Sequence, residues 1–173
     1  MPRPRSSLPR HPIVDEQSEA AGQTALIVDG LVARPRQLGQ AELAMLARAT
    51  LTEAFTCEEG WSVPGLHWSG FRLLDVLALA QPLPEARYVR VGAGPFVVPL
   101  SLTDAEQALV SDRLNGEPLS VEHGAPWRLV VSSGVCYSSV KWLSRLELTA
   151  HPGQHDAQRI ALARLERARS TVS

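Results

Sequence analysis

The chain of 173 residues is poor in the residues that most often announce a function. It has two cysteines, Cys57 and Cys136, so at most one disulfide is available and nothing resembles the framework of a small secreted scaffold. There is no CxxCH haem signature, no iron–sulfur cysteine set and no flavin or Rossmann glycine fingerprint. His67 follows Cys57, but no CxxC or HxxxH spacing supports a closed tetrahedral zinc site. No apolar run reaches the roughly 18–20 residues of a membrane-spanning helix. A formal net charge of −1 gives no general field for polyanions, so nucleic acid is not expected as a partner. Between Met1 and Pro12 there are arginines and prolines but no apolar stretch of an export signal. The expected compartment is therefore the cytoplasm, or the periplasm if the chain is trimmed or exported with a partner.

What is present suits one domain, since a chain of this length buries roughly two thirds of its unfolded surface. Three segments are expected: a flexible N-terminal arm over 1–22, an α+β domain over 23–150 and a helical tail over 151–173. The arm mixes Pro, Arg, Ser and Gln without periodicity. Residues 24–32 are β-rich and close on Asp29-Gly30, a hairpin signal. Ala/Leu spacing predicts a helix over 40–49, with Leu43, Leu46 and Ala47 on one face, and then a strand over 51–56 that delivers Cys57 to its end. Trp68-Ser69-Gly70 reads as a break before a helix over 71–79. A hairpin is predicted over 88–91 and 96–100, and a helix over 102–109 with Thr103 and Glu106 as its capping box. Residues 127–132 and 141–148 read as strands around a Ser/Gly loop, and 156–169 as an amphipathic helix. No internal repeat or Gly/Ser linker divides the chain.

Two patches carry chemistry. Cys57 stands in Phe55-Thr56-Cys57-Glu58-Glu59-Gly60-Trp61-Ser62, where two carboxylates would raise the pKa of a bare thiol, which favours metal ligation over a free nucleophile. The second patch is His123-Gly124-Ala125-Pro126-Trp127-Arg128, followed by Ser138-Ser139-Val140-Lys141-Trp142. Arg128 offers a planar fork and Lys141 a point charge, while Gly124 and the serines allow backbone N–H groups close approach, a set suited to an anion such as phosphate. Blander readings stand beside these: a buried thiol, core tryptophans at Trp61 and Trp68, solvated acids at Glu58 and Glu59, and a turn histidine at His123.

These stretches, with Leu26–Val32, Trp68–Leu77 and Leu114-Asn115-Gly116-Glu117-Pro118-Leu119 between them, resemble the molybdopterin-binding domain of the sulfite oxidase family, in particular its small single-domain members of the methionine-sulfoxide reductase catalytic-subunit type. The resemblance implies the mixed α+β fold of that family, a molybdenum–molybdopterin cofactor, and Cys57 as catalytic metal ligand. It further implies cofactor binding by Glu59, Trp61, Ser62, His123, Arg128, Ser138, Ser139 and Lys141. The activity implied is oxygen-atom or electron transfer on a small substrate, with a separate haem, flavin or quinone-linked protein as electron partner. The chain departs from the family pattern between Val131 and Lys141: Ser132 stands where Pro is usual, Cys136 where Gly is, and Ser138 where a base is frequent. A substrate-binding arginine segment and a C-terminal immunoglobulin-like domain have no counterpart in the sequence, so sulfite is not implied as substrate. The alternatives are a non-catalytic molybdopterin carrier and an interaction domain.

Overall fold

A computed structural model describes residues 3–4, 7–8, 22–57, 61–132 and 139–170. In chain order the strands are β1 (Arg3–Pro4), β2 (Leu26–Gly30), β3 (Arg36–Leu38), β4 (Arg48–Cys57), β5 (Trp61–Arg72), β6 (Tyr88–Ala93), β7 (Phe96–Ser101), β8 (Ala108–Leu114), β9 (Glu117–Pro118), β10 (Arg128–Val131) and β11 (Arg145–Thr149). The helices are α1 (Gln40–Ala44), α2 (Leu73–Ala78), α3 (Leu102–Ala105) and α4 (Asp156–Ser170), with a 3-10 turn at Val121–His123.

The strands form two mixed sheets. In the first, β5 pairs along its length with β4, while its other edge is taken by β1 at Trp61–Ser62 and by β8 at Trp68–Arg72; β8 then pairs with β10 and β9. The second sheet runs β3-β2-β11-β6-β7, with the β11–β2 pair parallel and the rest antiparallel. Side chains of adjacent strand residues point to opposite faces, and the first sheet uses both. Val110 and Leu129 face a large core shared with Leu26, Val28, Val89, Val91, Leu146 and Leu148 of the second sheet. Their neighbours Leu109 and Val130 face a smaller apolar cluster with Val63, Leu66, Trp68, Leu119 and Leu8. Leu8 thus ties part of the N-terminal segment to the domain, and Arg3–Pro4 adds a short parallel strand.

The α+β class and mixed-sheet fold are as expected, but several helical expectations are not. Residues 40–49 are helical only to Ala44, because Arg48 is drawn into β4, where its guanidinium bonds Asp112 of β8 at 2.5 Å and Ser69 of β5 at 3.1 Å. Phe71 belongs to β5 and not to the following helix, and the strand Trp61–Arg72 runs through the expected break. A bulge at Ser69/Gly70 absorbs the irregularity that Trp68-Ser69-Gly70 signals, and the buried Ser111 hydroxyl bonds the Ser69 carbonyl at 3.0 Å there. The helix expected over 102–109 stops at Ala105, since pairing with β5 and β10 claims the chain from Ala108. Its cap is Ser101, whose Oγ accepts the Asp104 N–H at 3.0 Å, not the Thr103/Glu106 box. Trp142 lies at φ 54°, so the last strand begins at Arg145 rather than at Lys141.

Gly70 fills a position that no side chain fits: a Cβ there would stand 2.0 Å from the Val110 carbonyl oxygen of β8. Gly70→Ala is expected to force the bulge apart and cost roughly 2–4 kcal/mol, read as a lower urea midpoint with an unchanged slope. A variant as stable as the parent would show that the β5–β8 contact is looser than described.

Candidate functional site

After β9 the chain makes a single 3-10 turn at Val121–His123 that two backbone features fix. The Ser120 carbonyl accepts the N–H groups of both His123 (3.0 Å) and Ala125 (3.1 Å). Gly124 leaves the turn at φ +110°, and a Cβ on it would stand 3.0 Å from both Cα and Cβ of Lys141, so the position requires glycine on conformation and on space. Residues 140–143 run back beside this segment: Trp142 N–H bonds the Gly124 carbonyl at 3.2 Å, Leu143 N–H bonds that of Trp127 at 2.9 Å, and Val140 exchanges bonds with Leu129.

That pairing brings three donors to three consecutive carbonyls of the turn. Trp142 Nε1 donates to Val121 O at 2.7 Å, Lys141 Nζ to Glu122 O at 2.6 Å, and Arg128 Nη1 to His123 O at 3.3 Å. Arg128 is 4% exposed, and its guanidinium carbon lies 4.9 Å from the centre of the Trp68 ring, a cation–π platform supplied by β5. Lys141 Nζ lies 5.5 Å from the Trp142 ring centre. Burial lowers the Arg128 pKa to about 10. Lys141 is lowered to about 8, by burial first and then by repulsion from Arg128, against an opposing pull from Glu122. His123 completes the cluster: its Nδ1 is 3.1 Å from Ser120 Oγ, and its Nε2 is shielded from solvent.

Burial disfavours the charge on Arg128, and burial and Arg128 together disfavour that on Lys141, so a multiply charged anion would relieve both. The donor set therefore fits the phosphate end of a pterin cofactor. Cys57 lies further along β4. In the strand registers Arg128 aligns with Ser111, Ser111 with Gly70, and Gly70 with Ala49, whereas Cys57 aligns with Trp61. Cys57 is eight positions beyond Ala49 on β4, about 26 Å at the rise of an extended strand.

The candidates thus divide into two groups. His123, Arg128 and Lys141 come together, with half-buried Ser139 two positions before Lys141. Cys57, Trp61 and half-buried Ser62 sit at the outer end of the β4–β5 ribbon. Glu59 and Ser138 lie outside the described residues, as do Glu58 and Cys136. Sequence reasoning missed Ser120 and gave Trp68 no link to Arg128. The Ser-x-x-His spacing across a 3-10 turn was the available signal for Ser120. Among the described residues no group of three His, Cys, Asp or Glu side chains is placed to hold a metal ion, and no described helix is long and apolar enough to cross a membrane.

A family model for the oxidoreductase molybdopterin binding domain matches residues 12–157. An uncharacterised oxidoreductase of Bacillus subtilis, YuiH, is 35% identical over 133 residues, covering 74% of this chain and 67% of its own. A nitrate reductase [NADPH] of Aspergillus niger is 32% identical over 108 residues, 55% of this chain and 12% of the enzyme. A sulfite oxidase of Arabidopsis thaliana is 26% identical over 182 aligned positions, 83% of this chain and 45% of the enzyme. This chain thus matches less than half the length of those two enzymes. The fold is similar to that of the sulfane dehydrogenase SoxCD from Paracoccus pantotrophus, with a TM-score of 0.68 at 24% identity, over 81% of this chain and 40% of that one.

Because the Lys141 pKa falls from 10.5 to about 8 on folding, the unfolded chain holds a proton between those values that the folded chain has released. The burden of the buried ammonium is therefore fully present below about pH 8, and the stability of the cofactor-free chain rises with pH through that window. Lys141→Met is expected to flatten this rise in urea unfolding followed from pH 7 to 10. Identical pH slopes for parent and variant would show that Lys141 is not held as described.

Proposed function

The chain belongs to the family of oxidoreductase molybdopterin-binding domains, whose cofactor is molybdenum–molybdopterin, and we propose that it is the catalytic domain of an oxidoreductase acting on a small substrate, with Cys57 as the metal ligand and His123, Arg128 and Lys141 as the phosphate grip. The observation that carries the reading is the pair of buried Arg128 and half-buried Lys141 held on successive carbonyls of one turn. When bound, the cofactor supplies the metal-centred oxygen-atom or electron transfer, and the protein supplies position and electrostatics.

Arg128 would hold the phosphate through its guanidinium, with one amino group kept in place by His123 O and the Trp68 ring stacked against it. Lys141 adds a point charge, kept protonated at neutral pH by the phosphate. Ser139, Trp61 and Ser62, together with Ser138 and Glu59 outside the described residues, would supply further cofactor contacts. For Cys57 to meet the same cofactor, the ribbon beyond the bulge at Glu53/Phe55 has to turn toward the cluster. Gly65, at φ +67° with open space around it, gives β5 a matching place to bend. Electrons then pass to or from a separate haem, flavin or quinone-linked protein.

That Cys57 lies eight strand positions beyond the register of Arg128 favours a second reading, in which the basic cluster carries the pterin and no turnover occurs. Two variants separate the readings. Cys57→Ser is expected to keep its pterin, lose dye-coupled turnover with sulfite, sulfoxide or nitrate, and show one sulfur fewer around molybdenum by X-ray absorption. An active Cys57→Ser protein would remove the thiolate claim, and a parent protein with full cofactor and no turnover on any of the three would favour the carrier. Arg128→Ala is expected to cost about 1.5–3 kcal/mol of cofactor affinity, roughly 10- to 150-fold, measured as pterin retained on purification.

A further inference from the structure

We propose that Trp142 is a positioning residue for the phosphate grip: standing as an extra residue opposite Arg128, it keeps the Lys141 ammonium on the Glu122 carbonyl, next to the His123 carbonyl that Arg128 takes. The inference rests on the phosphate-grip reading above. Its own ground is a mismatch in the pairing of the two segments that carry the cations.

Val140 and Leu129 exchange both backbone bonds, at 3.2 and 2.8 Å, and a regular antiparallel ladder would next join residue 142 to residue 127. That bond is made one residue later, from the Leu143 N–H to the Trp127 carbonyl at 2.9 Å. Lys141 and Trp142 therefore both stand against Arg128, the two-against-one count of a bulge, which re-aims the side chains it carries. Trp142 absorbs the extra residue at φ 54°, a left-handed conformation that a bulky side chain adopts only where its surroundings enforce it. Two bonds enforce it here. The backbone N–H reaches the Gly124 carbonyl at 3.2 Å and the indole N–H reaches the Val121 carbonyl at 2.7 Å, in a residue that is 2% exposed. An indole N–H can only donate, so the sense of that bond is fixed. Lys141 has instead a flexible four-carbon stem. With its neighbour pinned to the carbonyl before Glu122, and the indole ring 5.5 Å from Nζ, that stem is confined to the same turn.

Lys141 is the only lysine of the chain, so lysine labelled with 13C at Cε gives one side-chain signal that reports on it. In the cofactor-free parent this signal is expected to titrate near pH 8, and the Trp142 indole N–H to exchange slowly with solvent. Trp142→Phe keeps an aromatic ring and removes the N–H. It is expected to move the titration toward that of an ordinary lysine and to retain pterin about five- to tenfold less well. A tryptophan that serves only packing would lower the urea midpoint of this variant and leave the lysine titration where it was, which overturns the proposal. So does a parent whose lysine titrates as an ordinary one or whose Trp142 indole exchanges freely, readings that need no variant. The result for Arg128→Ala keeps the two claims apart. If that variant retains all its pterin, the phosphate grip is wrong, while the hold of Trp142 on Lys141 is judged by the titration alone.

Discussion

The carbonyls of Val121, Glu122 and His123 each take one side-chain donor, from Trp142, Lys141 and Arg128 in that order, and the turn and the two cations depend on each other through those bonds. A 3-10 turn leaves its last carbonyls without partners of its own, so side-chain donors at this end stabilise it while the turn fixes where the donors sit. The constraint reaches outward. Gly124 must lack a side chain for residues 140–143 to lie against 124–129, and Trp68 must stand on β5 beneath the Arg128 fork. Both sheets contribute to this arrangement, because β10 carries Arg128 in the first sheet and the segment bearing Lys141 leads directly into β11 of the second.

Buried cations are costly, and the energies here point toward an anion. Desolvation lowers both Arg128 and Lys141, and the Arg128 charge lowers Lys141 further. Carbonyl bonds, aromatic faces and the pull of Glu122 on Lys141 offset part of that cost. A phosphate-bearing cofactor would add counter-charge, which would link its binding to the stability of this corner of the domain. The Cys57 end of the proposed site is of a different kind, since Cys57 closes β4, whose pairing with β5 is interrupted by a bulge.

Much of the architecture was legible, and the failures share one cause. The hairpin over 88–91 and 96–100, strand β10 and helix α4 follow from short-range patterns that tertiary contacts left intact. Strands β5 and β8 were missed because Gly70 and the Ala/Leu run over 102–109 look like a break and a helix in isolation. Only pairing with neighbours converts the first into a bulge and ends the second at Ala105. The same limit applies to the site. Arg128 and Lys141 are legible as anion donors from their residue types and from the family resemblance, whereas the role of Trp142 depends on one extra residue in the pairing with 127–129, which no periodicity announces.

The most direct test of the central claim is the content of molybdenum and of oxidised-pterin fluorescence per chain, in protein purified from a host that makes the cofactor. The account predicts close to one of each, bound tightly enough to survive gel filtration. Well-folded protein carrying neither would contradict it.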